Sequence, residues 1–198
     1  MEALNLTLFD LINATPSSPA ASMLLAHLLA VYAIFLVPAL LVVGWLRRDQ
    51  RQHQLMLCAL LACGVALSIN FVIGSLWHHP RPFVMPVGHT FLQHAPDASF
   101  PSDHMTIIMT VAFSLLLRRE VRLLGLAFAI LGLGIAWSRI YLGVHFPLDM
   151  LGGTAVALAS ACLARVTSPI YMPTLYRVAR GIHRRLFATL IERGWVSR

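Results

Sequence analysis

Apolar residues fill five stretches of this chain, roughly Ala20–Leu46, Leu55–Trp77, Met105–Leu117, Leu123–Leu142 and Phe146–Leu163, and polar residues collect in the short segments between them. A spanning α-helix needs about 20 apolar residues. The third stretch is shorter, so its polar start near Ser102 and His104 is expected to continue the helix into the membrane interface. The pattern predicts an all-α, polytopic membrane helix bundle of five transmembrane helices. A sixth would require the N-terminal segment to dip into the membrane. Gly125, Gly132, Gly134, Gly152 and Gly153 would let neighbouring helices approach closely.

Both ends predict interfacial elements. The stretch LNLTLFDLINA would lie flat with Leu4, Leu8, Leu11 and Ile12 in the apolar layer, making residues 1–19 an outer interfacial segment. In the tail, Leu175, Val178, Ile182, Leu186 and Leu190 recur at helical spacing, and Arg177, Arg180, Arg184 and Arg185 take other positions. Residues 168–198 therefore read as a basic amphipathic cytoplasmic tail on anionic lipid, and the whole chain, 1–198, as one domain. A nucleic-acid-binding arm is the alternative for so basic a tail. The amount of membrane beside it argues for lipid and against nucleic acid.

With 58% hydrophobic and 12% charged residues, the chain is far too apolar for a soluble domain. It contains no lysine, so all 15 cations are arginine. Arg47, Arg48, Arg51, Arg118, Arg119, Arg122, Arg165, Arg177, Arg180, Arg184, Arg185, Arg193 and Arg198 fall on one side of a five-span arrangement. Only Arg81 and Arg139 fall on the other. Arginine-rich loops stay cytoplasmic, which predicts an outer N-terminus, a cytoplasmic C-terminus, and outward loops carrying Arg81 and Arg139. No cleavable signal peptide is read, because the first 46 residues hold no Arg or Lys. Cys58, Cys63 and Cys162 lie in apolar runs and offer neither a disulfide framework nor a metal spacing.

The two exceptional arginines sit in the segments richest in histidine and aspartate, where cations on the wrong face suit the holding of an anion. In HHPRPF, residues 78–83, Pro80 and Pro82 stiffen the backbone around Arg81; the segment is either a plain break after a helix or a rigid mount for a guanidinium fork. In FPSDHMT, residues 100–106, Ser102 stands where a helix N-cap belongs, and free helix amides beside Ser102 and His104 would favour an anion. Asp103 opposes an anion there and is expected to point toward an arginine or water. In SRIYLGVHFPLD, residues 138–149, His145 precedes a helix start at Pro147, and Asp149 follows one turn on. Asp149 could accept the Nδ1 proton of His145 and leave Nε2 as a nucleophile, with Arg139 as a second cation. Zinc is the competing use of His78, His79, His104, His145 and Asp149. Two arginines would repel a cation, however, and no HxxxH or CxxC spacing occurs.

Taken together, Arg81–Pro82, PSDH at 101–104 and SR-x5-H-x3-D from Ser138 to Asp149 resemble the three-part signature of the type-2 phosphatidic-acid phosphatase superfamily. HPRPF, HAPDASFPSDH and AWSRIYLGVHFPLDMLGG look more narrowly like its bacitracin-resistance (BcrC-type) undecaprenyl-diphosphate phosphatases. The resemblance covers about residues 1–165, and the GWV near the C-terminus is familiar too. It implies a phosphatase without metal or other cofactor in the bacterial cytoplasmic membrane, its site facing outward and its substrate a polyprenyl diphosphate. His145 would then be the nucleophile, Asp149 its orienting partner and His104 the acid and base, with Arg81, Arg139 and Ser102 on the phosphate oxygens. The family's lysine seven residues before the RP arginine is Gly74 here, leaving His78 or His79 as accessory candidates, and the usual glycine between Ser and His is Asp103. A phosphatidylglycerophosphate or phosphatidate phosphatase, or a lipid A phosphotransferase, would carry the same motifs. An anion channel or transporter would need more polar residues deep in its helices than Ser68 and Asn70.

Overall fold

The computed structural model describes residues 2–46, 49–85 and 87–193, so Arg47, Arg48, Arg198 and the GWV stretch lie outside the described residues. A short α1, Glu2–Ile12, comes first. The run Ala20–Leu46 holds α2, Ala20–His27, and α3, Leu36–Leu46, joined by one π turn and one 3-10 turn. Then follow α4, Gln50–Leu76, α5, Asp103–Leu116, and α6, Arg122–Tyr141. The long α7, Pro147–Leu186, and a final turn, α8, Ala188–Glu192, complete the chain. Among the described residues every regular element is helical. Four helical runs are long and apolar enough to cross a membrane and α5 is a shorter apolar helix, as expected for a multi-pass membrane protein.

α5 can be short because protein surrounds it. It packs against α4, α6 and α7 and buries Ile108, Val111, Ala112 and Leu115 together with Thr106, Thr110 and Ser114. The threonine hydroxyls bond within the bundle, Thr106 to the Gly153 carbonyl at 3.3 Å and Thr110 to the Thr106 carbonyl at 2.7 Å. Large apolar residues such as Phe71, Leu126, Ile130, Leu151 and Ile170 face outward instead. This arrangement suits lipid as solvent, since small residues let helices meet and large ones cover the rim. At Gly153 of α7 a Cβ would stand 2.9 Å from both the Ser102 carbonyl and the Thr106 hydroxyl, so glycine sets how closely α7 approaches the start of α5.

Both ends of the chain carry more than the sequence reading gave them. The helix of the fifth span does not stop at Leu163: α7, 40 residues long, runs through Pro169 and Pro173 into the stretch read as a tail. Pro169 takes the donor from the Arg165 carbonyl, and the Ser168 hydroxyl bonds that same carbonyl at 2.7 Å, so the helix runs on. At the other end, Leu4 and Leu11 do point away from the protein, but the inward face of α1 is Asn5 and Phe9. Phe9 packs on Phe146 with ring centroids 5.2 Å apart, and Asn5 accepts from the Leu148 amide at 3.0 Å. The N-terminal helix thus satisfies an orphan amide in the first turn of α7 and is a structural part of the site's floor.

Candidate active site

The connection from α6 to α7 turns within five residues. Gly143 supplies the positive φ of +77° there, and the His89 carbonyl lies where its side chain would stand. The chain bends at Val144, and His145 and an extended Phe146 then lead to Pro147, which opens α7. His145 is 1% exposed, as is Asp149 one turn further on. A single carboxylate oxygen, Asp149 Oδ2, accepts from the Phe146 amide at 2.8 Å and the Ser99 hydroxyl at 2.5 Å, and lies 3.2 Å from His145 Nδ1. This threefold hold fixes the carboxylate, which in turn fixes the ring.

The other ring nitrogen faces two cations. Arg81 NH1 lies 2.9 Å from His145 Nε2 and Arg139 NH2 lies 3.4 Å from it. Guanidinium nitrogens only donate, so Nε2 must present its lone pair, and the proton of the neutral ring sits on Nδ1 beside Asp149. The tautomer a nucleophilic imidazole needs is therefore imposed from both sides.

The arginines are not equivalent. Arg81 is spent on protein: its Nε donates to Asp97 at 2.8 Å, NH1 to the Val144 carbonyl at 2.9 Å and to His145, and NH2 to the Ala98 carbonyl at 3.3 Å. Arg139 is as deeply buried, at 3% exposure, yet among the described residues its Nε has no partner. Ser102 is fully buried and its hydroxyl likewise has none. It occupies the N-cap position of α5 as read from the sequence, but its side chain caps no amide. Buried donors without acceptors are costly, so their presence here points to an anionic ligand as the missing acceptor.

His104 stands in the first turn of α5, within electrostatic reach of Arg139 and His145. Asp103 is exposed, as expected of a residue turned toward water, and among the described residues it pairs with no arginine: its Oδ1 accepts at 2.8 Å from Asn70 of α4, whose amide also donates to Thr106 at 2.9 Å. That bond turns the carboxylate toward α4. His78 and His79 do not join the cluster. His78 lines a cavity beside Gly74, and His79 packs on Phe146 with Nε2 3.9 Å from Glu2. Sequence reasoning missed Ser99, Asp97 and Asn70, which position the named residues. The one available signal was their polar character within stretches otherwise apolar or irregular.

His145 belongs to the loop, and burial drives its pKa from 6.5 to about 4; Arg139 and Arg81 push the same way and Asp149 opposes them. The unfolded chain therefore takes up a proton that the folded one refuses between about pH 6.5 and about 4, so stability falls as pH drops through that window and levels off below it. The same shift keeps the lone pair free in mild acid. The acid limb of phosphoryl-enzyme formation in single turnover is expected near pH 4, and a limb near 6.5 would contradict a desolvated ring.

Comparison with known proteins places the chain in a family. The profile of the PAP2 superfamily matches residues 55–171. The Escherichia coli (strain K12) protein YbjG is 42% identical over 99% of this chain and 98% of its own length. The undecaprenyl-diphosphatase BcrC of Bacillus subtilis (strain 168) is 36% identical over 75% of this chain and 76% of its own. Among solved structures, Aquifex aeolicus LpxE superposes with a TM-score of 0.61 at 27% identity, covering 81% of this chain and 94% of that one.

Proposed function

The chain belongs to the PAP2 superfamily, and from that premise we propose that it is an undecaprenyl-diphosphate phosphatase working at the outer face of the cytoplasmic membrane. One observation carries the reading. A neutral, correctly tautomeric histidine is buried among two arginines, with Arg139 Nε and the Ser102 hydroxyl still in want of an acceptor. His145 Nε2 attacks the terminal phosphorus as the bond to the bridging oxygen breaks, and undecaprenyl phosphate leaves. Arg139, Ser102 and Arg81 hold the non-bridging oxygens, where charge gathers in the transition state. His104 gives a proton to the departing oxygen and then takes one from water, which cleaves the N–P bond and releases inorganic phosphate. The guanidinium groups supply the positive charge, so no metal enters the scheme. The outward placement rests on the arginine distribution, in which 13 of the 15 lie on the other side.

The test is phosphate release by the full chain in detergent with EDTA present, offering undecaprenyl diphosphate, phosphatidylglycerophosphate and phosphatidate in parallel. Preferred turnover of the prenyl diphosphate is expected. Preference for a glycerolipid would keep the chemistry and overturn the substrate. Loss of turnover in EDTA with rescue by a metal ion would overturn the mechanism.

A further inference from the structure

His94 reaches the cluster from the first position of HAPDASFPSDH, ahead of the PSDH that ends it. Its ring centroid lies 6.2 Å from that of His145, the rings meeting edge-on at 72°. Nδ1 is 3.0 Å from the Ala95 carbonyl and 3.6 Å from Asp97, whose carboxylate Arg81 holds in place. A carbonyl and a carboxylate both accept, so Nδ1 carries a proton and Nε2 is the nitrogen left to meet a ligand. His94 also lines a cavity of about 580 Å³ together with Phe83, Thr90, Phe91, Leu92 and Gln93. The residue thus touches both His145 and a cavity of mixed polarity.

We propose that His94 Nε2, with Gln93 beside it, forms a subsite for the second, lipid-proximal phosphate of a diphosphate headgroup whose terminal phosphate sits at His145. The inference rests on the substrate reading above and names the group that distinguishes a diphosphate from a monophosphate. A monophosphate headgroup ends its charge at His145, whereas one P–O–P bridge carries a second anion toward His94. Burial, with Arg81 and Arg139 adding to it, holds the pKa of His94 below its usual value against the pull of the Ala95 carbonyl and Asp97, so the proton comes onto Nε2 with the arriving anion. The first carbons of the chain then meet Phe83 and Phe91 in the cavity.

The experiment compares kcat/KM for a prenyl diphosphate with that for phosphatidate, using the full chain in detergent with EDTA, and inhibition by inorganic diphosphate with that by inorganic phosphate. His94→Ala is expected to lower both ratios about 10- to 100-fold, the effect of one charge-assisted hydrogen bond. His94→Gln, which keeps a donor, should recover part of the loss. Unchanged ratios, or an equal fall for both members of each pair, would overturn the subsite and leave the phosphatase reading standing. A wild-type protein that already prefers phosphatidate would overturn the substrate reading, and the subsite with it, before any variant is made.

Discussion

His145→Ala is expected to lower kcat by about 10,000-fold or more, because no other group at the site presents a lone pair to the bound phosphorus. The ring is held at both nitrogens, with Asp149 at 3.2 Å from Nδ1 and Arg81 at 2.9 Å from Nε2, and neither contact survives the truncation. The fold should survive it. Asp149 keeps the Phe146 amide and the Ser99 hydroxyl, and Arg81 keeps Asp97 and the Val144 carbonyl. His145→Gln, with similar bulk and no imidazole, separates lost chemistry from lost packing. The decisive measurement is acid-labile phosphate retained on the protein in a quenched single turnover, present in the wild type and absent in both variants. Turnover within tenfold of wild type in either would end the phosphohistidine scheme.

Arg139→Leu is expected to cost about 1,000-fold in kcat/KM while the unfolding temperature stays level or rises. The two effects have one cause. Arg139 is 3% exposed with an unpartnered Nε, and among the described residues it makes no ion pair, so the folded protein bears its desolvation without a matching return. An apolar side chain removes that cost along with the anion's main donor. Arg139→Lys should restore little activity, since an ammonium cannot offer two parallel donors. Activity assays beside thermal unfolding of the same preparations test the pairing; a sharp fall in stability would show that Arg139 is a structural strut.

The residues that cluster at the proposed site were legible because their chemistry is costly in a membrane and therefore conspicuous: Arg81, Arg139, His145 and Asp149 interrupt a sequence that is 12% charged. Helix number was legible for the converse reason, since long apolar runs have few other uses. The supporting residues were not. Ser99 is one serine in an irregular segment, and its bond to Asp149 spans 50 positions of sequence. Asn70 looked like an isolated polar residue in α4 until α5 brought Asp103 beside it. His78 and His79 were plausible by adjacency to Arg81, yet the chain turns them toward Gly74 and Glu2 and brings His94 to the cluster instead. The continuation of α7 escaped for a local reason: the apolar run ends near Leu163 but the helix does not, and the serine that answers Pro169 stands immediately before it.

The hydrogen bond from Arg81 to His145 Nε2 has a consequence for the resting protein. An electron pair already engaged by a guanidinium cannot attack, so the site at rest is latched against stray electrophiles. An incoming phosphate draws that same N–H to its own oxygens and frees the pair at the moment its phosphorus arrives. Reactivity is thereby keyed to anionic headgroups, and the molecule that releases the latch is the one consumed.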